Sequence, residues 1–586
     1  MYEWKTIPWE KVERVVFKLQ KRIYQASERG DRNTVHKLQR LLMKSWYARL
    51  LATRRVTQDN QGKKTPGIDG IVVLTPKERI KLAESLEFNQ KPKPVRRVYI
   101  PKPGQNEKRP LGIPVIRDRV LQAVVKQAIE PEWEAKFEAN SYGFRPGRGC
   151  HDAIQAIFTG IVHQPKYVLD ADIAKCFEMI DHQPLLNKLQ TFPRMRSIIK
   201  QWLKAGIIDN NVLLKTDTGT QQGSVVSPVL ANIALHGLET AILSNTSKWA
   251  IIEGRKVSWT PKVIRYADDF VVFHRDLQVI EHLKQRISDW LAEMGLTLKP
   301  EKTQITHTLQ DSLRAKPGFD FLGFTIRQYP VGKSDGDQER ISFKTFIKPS
   351  KKGIQRHLER LREVIDSHKS DGQDKLINTL NPIIRGWCNY YSTVVSKEIF
   401  SKVNYATFQM LWAWAKRRHS GKSKKWIYCR YWKRWNGKVE FKADNTDKLL
   451  NHHETPIRRH IKVQGNRSPF DGDWVYWATR MGRHPEISDK LAGLLKKQQG
   501  LCAHCGLYFK EEDILAIASK KIALTGKTRY RTESKLLHKH CHDKTTKTYL
   551  KIVGGTKRYG PIIEEPNDGK LSSSVLEPSQ QGDLLA

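Results

Sequence analysis

The chain has 586 residues, and its 102 Lys and Arg against 61 Asp and Glu give a formal charge of +41. At about 150 residues per domain that length means about four units and more than one core. With 39% hydrophobic and 28% charged residues and a mean hydropathy of -0.57, the composition excludes a disordered chain and a membrane-embedded one. A charge excess of this size is directed at a polyanion, and nucleic acid comes first because neutralising phosphates releases counterions. Met1 to Val16 lacks the apolar core of a secretion signal, so an intracellular protein is expected. Seven cysteines are too few and too uneven for a disulfide framework.

In chain order, residues 1–60 read as helix, with Asp31 capping a segment in which Val35, Leu38, Leu41, Leu42 and Trp46 recur at helical spacing. Gly62 to Gly70 is turn chemistry, and a short strand then runs from Arg96 into a Gly/Pro loop. From there to about residue 335 helices alternate with short strands, which predicts an α/β catalytic core. Residues 345–418 return to helical spacing. Gly421 to Phe470 holds 13 Lys and Arg against four Asp and Glu, interleaved with Trp and Tyr. A Cys/His cluster lies between Gln498 and Thr548, and the last twenty or so residues read as disordered.

Two strands deliver carboxylates. Val263 to Phe273 places Asp268 and Asp269 at the tip of a tight hairpin between apolar arms, and Lys166 to Ile173 brings Asp172 to the end of another strand. Adjacent aspartates in a turn ordinarily only form the turn. Three carboxylates from two neighbouring strands can instead hold two divalent cations about 4 Å apart, the arrangement that serves nucleotidyl transfer. Asp170 is the rival to Asp172, because period-two geometry puts both on one face.

Tyr266-Ala-Asp-Asp269, Asp172-Ile-Ala-Lys-Cys-Phe177, Gly219-Thr-Gln-Gln-Gly-Ser-Val-Val-Ser-Pro228, Leu296-Thr-Leu-Lys-Pro-Glu-Lys-Thr303 and Phe321-Leu-Gly-Phe324 follow in the order of reverse transcriptase motifs. Arg97-Val-Tyr-Ile-Pro-Lys102, Arg109-Pro-Leu-Gly-Ile-Pro114, Ser141-Tyr-Gly-Phe-Arg-Pro146 and Leu380-Asn-Pro-Ile-Ile-Arg-Gly-Trp-Cys-Asn-Tyr-Tyr391 resemble the reverse transcriptases encoded by group II introns. Over roughly residues 50 to 480 the resemblance implies a multidomain α/β and α protein: a right-hand polymerase with fingers, a palm built on an antiparallel sheet and a helical thumb. A DNA-binding segment and a small zinc-containing HNH-like domain follow. The boundaries it implies are a basic helical extension at 1–60, fingers at 61–165, palm at 166–335, thumb or maturase domain at 336–418, DNA-binding segment at 419–490, HNH-like domain at 491–550 and a tail at 551–586.

The resemblance also assigns roles. Asp172 and Asp268 would bind two Mg²⁺ ions, with Asp269 as third carboxylate and the Ile173 carbonyl as a neutral ligand. Lys102 and Arg109 would clamp the incoming dNTP, and Phe177 would exclude a ribose 2′-hydroxyl, although a phenylalanine at that spacing also suits a helix core. Gln222 and Gly223 would form the turn against the nucleotide, with Lys302 near the leaving pyrophosphate. Gln221 and Ser224 stand where the family often has proline and glycine. Arg385, Trp387, Arg417, Arg418, Lys424, Lys425, Arg430, Arg434, Arg458 and Arg459 are nucleic-acid-binding candidates, since rings stack on unpaired bases and cations hold phosphates, while half of the tryptophans here are expected in the core.

Cys502, Cys505, His538 and Cys541 have the pair spacing of a zinc site. Their surroundings resemble an HNH endonuclease with His542 at its metal, yet Glu512 to Leu537 contains no histidine to serve as general base. A zinc-stabilised remnant that binds DNA, with weak or absent cleavage, is expected. The expected function is RNA-directed DNA polymerase and maturase of a group II intron, with intron RNA, target DNA, an RNA template, a DNA primer and dNTPs as partners and no membrane. The expected location is the bacterial cytoplasm, as a nucleoid-associated ribonucleoprotein, with an organelle as alternative. The rival readings are a maturase with a vestigial polymerase, an HNH-type endonuclease, and another reverse transcriptase lineage.

Overall fold

The computed structural model describes residues 3–552 apart from 73, 102–107, 245, 253–254, 313–314, 332–342, 445–447, 474–475, 478–479, 481–488, 510–512 and 524–529. Three helices open the chain, α1 (Trp9–Glu28), α2 (Arg32–Lys44) and α3 (Trp46–Arg54). Asp31 caps α2 by accepting from the Thr34 amide at 3.0 Å. Val35, Leu38 and Leu42 face inward as expected, whereas Leu41 is 52% exposed: it follows Leu38 by three residues but lies past the edge of the stripe that packs on α1 and the helix Ile116–Glu134. That helix is almost wholly buried, and its acidic residues are matched, Glu134 by Arg145 at 2.9 Å and Glu132 by Lys136 at 2.6 Å.

The strands follow as β1 (Val95–Pro101), β2 (Lys108–Ile113), β3 (Tyr167–Asp172), β4 (Ile207–Asp209), β5 (Val212–Leu214), β6 (Trp249–Ile252), β7 (Arg255–Ser258), β8 (Lys262–Tyr266), β9 (Asp269–His274), β10 (Gln304–His307), β11 (Phe319–Phe321), β12 (Phe324–Pro330) and β13 (Phe343–Pro349). One sheet has the order β2-β1-β4-β5, a second β10-β3-β9-β8 and a third β11-β12-β13. The second sheet is antiparallel and separates two cores. Leu169, Ala171, Phe270 and Val272 point into one, shared with α1–α3 and the helix Ile116–Glu134. Val168, Val271 and Phe273 point into the other, because successive strand side chains alternate faces.

The second core continues without a break from Tyr142 through β11–β13 and the helices Lys351–Ser367, Gln373–Tyr391 and Lys397–Arg418 to Trp477. A separate, smaller core serves the C-terminal unit, where an antiparallel two-stranded ribbon joins Leu515–Ala523 to Tyr530–His538. Among the described residues no helix is long and apolar enough to cross a membrane.

Candidate active site

The β8–β9 hairpin closes through the pair Tyr266 and Asp269, leaving Ala267 and Asp268 as a two-residue turn. Ala267 takes a positive φ of 57°, a conformation that L residues adopt only when their surroundings impose it. The imposing group is Arg265, buried in β8, whose Nη1 donates to the Ala267 carbonyl at 3.0 Å and to Asn232 Oδ1 at 3.0 Å. Asn232 in turn donates to the Gly143 carbonyl at 2.8 Å. Gly143 lies so close to the turn that a Cβ there would strike the Ala267 backbone. The Ser141 to Pro146 motif is therefore the bed on which the acidic turn rests.

β3 pairs with β9 so that Asp172 stands opposite Asp269. The three carboxylates predicted from two strands are thus gathered at one end of the sheet. Burial raises Asp268, with Asp172 adding to the shift, and burial followed by Asp268 and Asp172 raises Asp269 well above the usual carboxylate range. Such crowding is stable when ionised only with a cation between the groups, and an all-oxygen donor set fits a hard divalent ion. Asp170 is half-buried, and desolvation followed by Asp320 and Asp172 pushes it up to about 7. Ile173 is buried at a bridge to Leu298, and the Asp172 carbonyl accepts from the Lys299 amide at 2.8 Å.

Lys302 reaches Asp172 Oδ2 at 2.6 Å. Although burial opposes its charge, that carboxylate raises the Lys302 pKa. Arg109 on β2 acts on Asp268 through its charge. Phe177 packs edge-on against Phe144 at 5.9 Å, which ties it to the same motif that supports the turn. Its carbonyl accepts from the Thr220 amide at 2.6 Å, and the Gln222 carbonyl accepts from the Gly112 amide at 2.6 Å, so the 219–223 loop is fastened at both ends. Gly223 has φ 104° and sits where a Cβ would press on the Gly112 carbonyl. Gln221 and Ser224, the departures from the usual motif, have partners of their own: Gln221 donates to the Trp202 carbonyl at 3.0 Å and Ser224 to Gln122 Oε1 at 2.8 Å. Lys102 lies outside the described residues.

The basic candidates divide. Arg385, Arg417, Lys424, Lys425, Arg430, Arg434 and Arg459 are exposed, and Arg418 and Arg458 are half-buried. Arg418 is used structurally, donating to the Lys369 and Asp371 carbonyls at 2.8 Å each. Trp387 is a correction: only 2% exposed, it stacks on His357 at 4.4 Å inside the helical core and cannot meet a base. Trp414 and Trp432 are likewise buried, whereas Trp426 and Trp435 are exposed.

Near the C-terminus the ligand atoms of Cys502, Cys505, His538 and Cys541 all lie within 4.8 Å of one another. His538 Nδ1 stands 3.3 Å from Cys505 Sγ, and its Nε2 stands 3.3 Å from Asp513, which is how a carboxylate orients a metal-bound histidine. The donor set fits zinc. His542, 3.6 Å from Asp543, is not one of these four.

The pattern described as reverse transcriptase (RNA-dependent DNA polymerase) matches residues 100–326, that of the N-terminal domain of reverse transcriptase residues 4–86, and that of the group II intron maturase-specific domain residues 354–432. The chain is 30% identical over 452 residues to the group II intron-encoded protein LtrA of Lactococcus lactis, covering 63% of this chain and 72% of that protein. The chain belongs to the group II intron-encoded reverse transcriptase family. It is 31% identical over 325 residues to protein YkfC of Escherichia coli, covering 50% of this chain and 83% of that one. Maturase-like protein 1 of Euglena gracilis is 26% identical over 390 residues, 65% of this chain and 76% of its own length. As a member of the family, the protein is an RNA-directed DNA polymerase and a group II intron maturase. These relatives come from bacteria and from Euglena.

Sequence reasoning missed Arg265 and Asn232. A charged residue in the otherwise apolar Val263-Ile-Arg-Tyr266 is a signal of a buried network, but its side-chain partner Asn232 is 33 residues away in sequence.

Proposed function

We propose that residues 61–165, 166–335 and 336–418 act as fingers, palm and thumb of a right-hand polymerase whose reacting centre is the Asp172, Asp268 and Asp269 cluster. The observation that carries this reading is the register that sets Asp172 opposite Asp269 with Asp268 on the adjoining turn. Two Mg²⁺ ions held by these carboxylates and the Ile173 carbonyl would supply activation of the primer 3′-hydroxyl and neutralisation of departing pyrophosphate. Phe177 fills the space a 2′-hydroxyl would need, and Gln222 and Gly223 let backbone approach the incoming nucleotide. Arg109 and Lys302 place positive charge where the triphosphate lies, and Lys302 also holds Asp172 in place until substrate arrives.

The exposed cations at Arg385, Arg417, Lys424, Lys425, Arg430, Arg434 and Arg459 hold phosphates of intron RNA and, in the segment 419–490, of target DNA. Bound intron RNA is stabilised in its splicing-competent fold and carries out reverse splicing into DNA, after which the polymerase copies it from a DNA primer. The C-terminal unit is a zinc-stabilised HNH remnant that binds DNA, with His542 as a relic of the catalytic set. A vestigial polymerase would have no reason to keep half-buried like charges crowded together, which favours the active enzyme.

Primer extension on an RNA template with dNTPs and Mg²⁺ tests the reading. Wild type is expected to synthesise cDNA, and Asp268→Ala to lose at least about 10³-fold in rate. Tight, salt-sensitive RNA binding with no synthesis by wild type would reduce the protein to its maturase role.

A further inference from the structure

The Cys/His cluster does not stand apart from the rest of the molecule. The helix Lys539–Ile552 begins immediately after His538 and contains Cys541, so two of the four metal-ligand candidates fix its start. The same first turns press against α1. Lys544 Nζ meets Glu10 Oε1 at 3.0 Å and Oε2 at 3.1 Å. Cys541 Sγ lies 3.7 Å from Glu10 Oε1. His540 Nδ1 lies 3.4 Å from Arg54 Nη2 and 3.8 Å from Glu13, while Arg54 bridges Glu13 and Asp59 at 3.2 Å each. His540 also stacks flat on His538, with ring centroids 5.1 Å apart. The seat is chemically particular: in an N-terminal region rich in Lys and Arg, half-buried Glu10 and buried Glu13 of one helix meet the C-terminal unit beside the buried Arg54.

The unit that docks there is poorly equipped to hold itself. Its core is small, Cys502 and Cys541 are themselves part of that core, and its sheet is a two-stranded ribbon, which is marginal alone in water. A unit of this kind draws its folding free energy from the metal. The residues that touch α1 are adjacent in sequence to the ligands, so they take their positions only when the ligands do.

We propose that the Cys502, Cys505, His538 and Cys541 centre is a metal-dependent clamp that fastens the C-terminal unit to the chain's own N-terminal helix through Glu10, Glu13, Arg54, His540 and Lys544. The clamp rests on the zinc reading given above. It makes metal occupancy decide whether the C-terminal unit is joined to α1.

The test uses full-length protein and a carbodiimide, which forms an amide between a carboxylate and an amine in contact. Zinc content is measured first, then the Glu10 to Lys544 cross-link is quantified by mass spectrometry with zinc bound, after chelation and after zinc is returned. The cross-link is expected with zinc, to fall by about tenfold on chelation, and to recover on re-addition. Cys502→Ser is expected to behave like the chelated protein, and Lys544→Ala to keep its zinc while losing the cross-link. Protein that takes up no zinc overturns the zinc reading and the clamp with it. Protein that takes up zinc but cross-links equally with and without it, or does not cross-link at all, overturns the clamp alone.

Discussion

Phe177 illustrates how a single side chain acquires a role from its neighbours. Helical spacing leaves it equally suited to a core, but its ring packs edge-on against Phe144 and its carbonyl accepts from the Thr220 amide, which supports the gate role proposed above. Phe177→Ala is expected to raise ribonucleotide incorporation relative to dNTPs by about 10- to 100-fold, read in a competition assay, with dNTP incorporation nearly unchanged. Asp170 supplies the pH dependence. Burial and its acidic neighbours move it from 3.8 up to about 7, and Asp268 and Asp269 shift in the same direction. Between about pH 4 and about pH 7 the folded chain therefore keeps protons that the unfolded chain has released, so stability falls as pH rises through that window. In EDTA the melting temperature should drop over the window, and Mg²⁺ should raise it more near its upper end, where the carboxylates proposed to hold it would otherwise repel. A Mg²⁺ effect that does not vary with pH would count against a shared cation site.

At the scale of elements, the β8–β9 hairpin was legible because two apolar arms flank Asp268 and Asp269, and β3 because its apolar run ends at Asp172. The support for the turn was not legible. Arg265, Asn232 and Gly143 come from a strand, a helix and a loop, and the pattern within any one of them says nothing of the other two. Asn232→Ala removes an acceptor from a buried guanidinium and a donor from the Gly143 carbonyl, which should cost about 1–3 kcal/mol. Thermal unfolding measures that loss, and steady-state kinetics should show kcat falling with KM for dNTP nearly unchanged, because the turn bearing Asp268 loosens while the 219–223 loop remains fastened to β2. The Gly219 to Ser224 loop likewise shows why a departure from a motif need not disable it: Gln221 and Ser224 are each hydrogen-bonded to groups that no local pattern would reveal.

Across the whole molecule, the segment expected to hold DNA is also a strap across the polymerase core. Arg148, fully buried, donates to the Ala139 carbonyl at 2.7 Å, the Gly465 carbonyl at 2.9 Å and the Arg467 carbonyl at 3.2 Å. Asp152 accepts from His460 at 3.0 Å, the Val463 amide at 2.8 Å and Arg480 at 2.5 Å. Arg148→Met should cost about 3 kcal/mol or more, since buried carbonyls lose a charged donor, and should expose residues 456–480 to limited proteolysis before the rest of the chain. Cutting no faster than in wild type would show the strap is held by its other contacts. From sequence alone came the polyanion partner, the carboxylates at strand ends, the helical N-terminus and the Cys/His pairs, because charge, period and spacing are local properties of the chain. Only the tertiary structure placed Trp387 in a core, set Asp172 opposite Asp269, laid Gly465 and Arg467 against Arg148 and brought Glu10 to Lys544, because burial and long-range pairing depend on which surfaces the folded chain presses together.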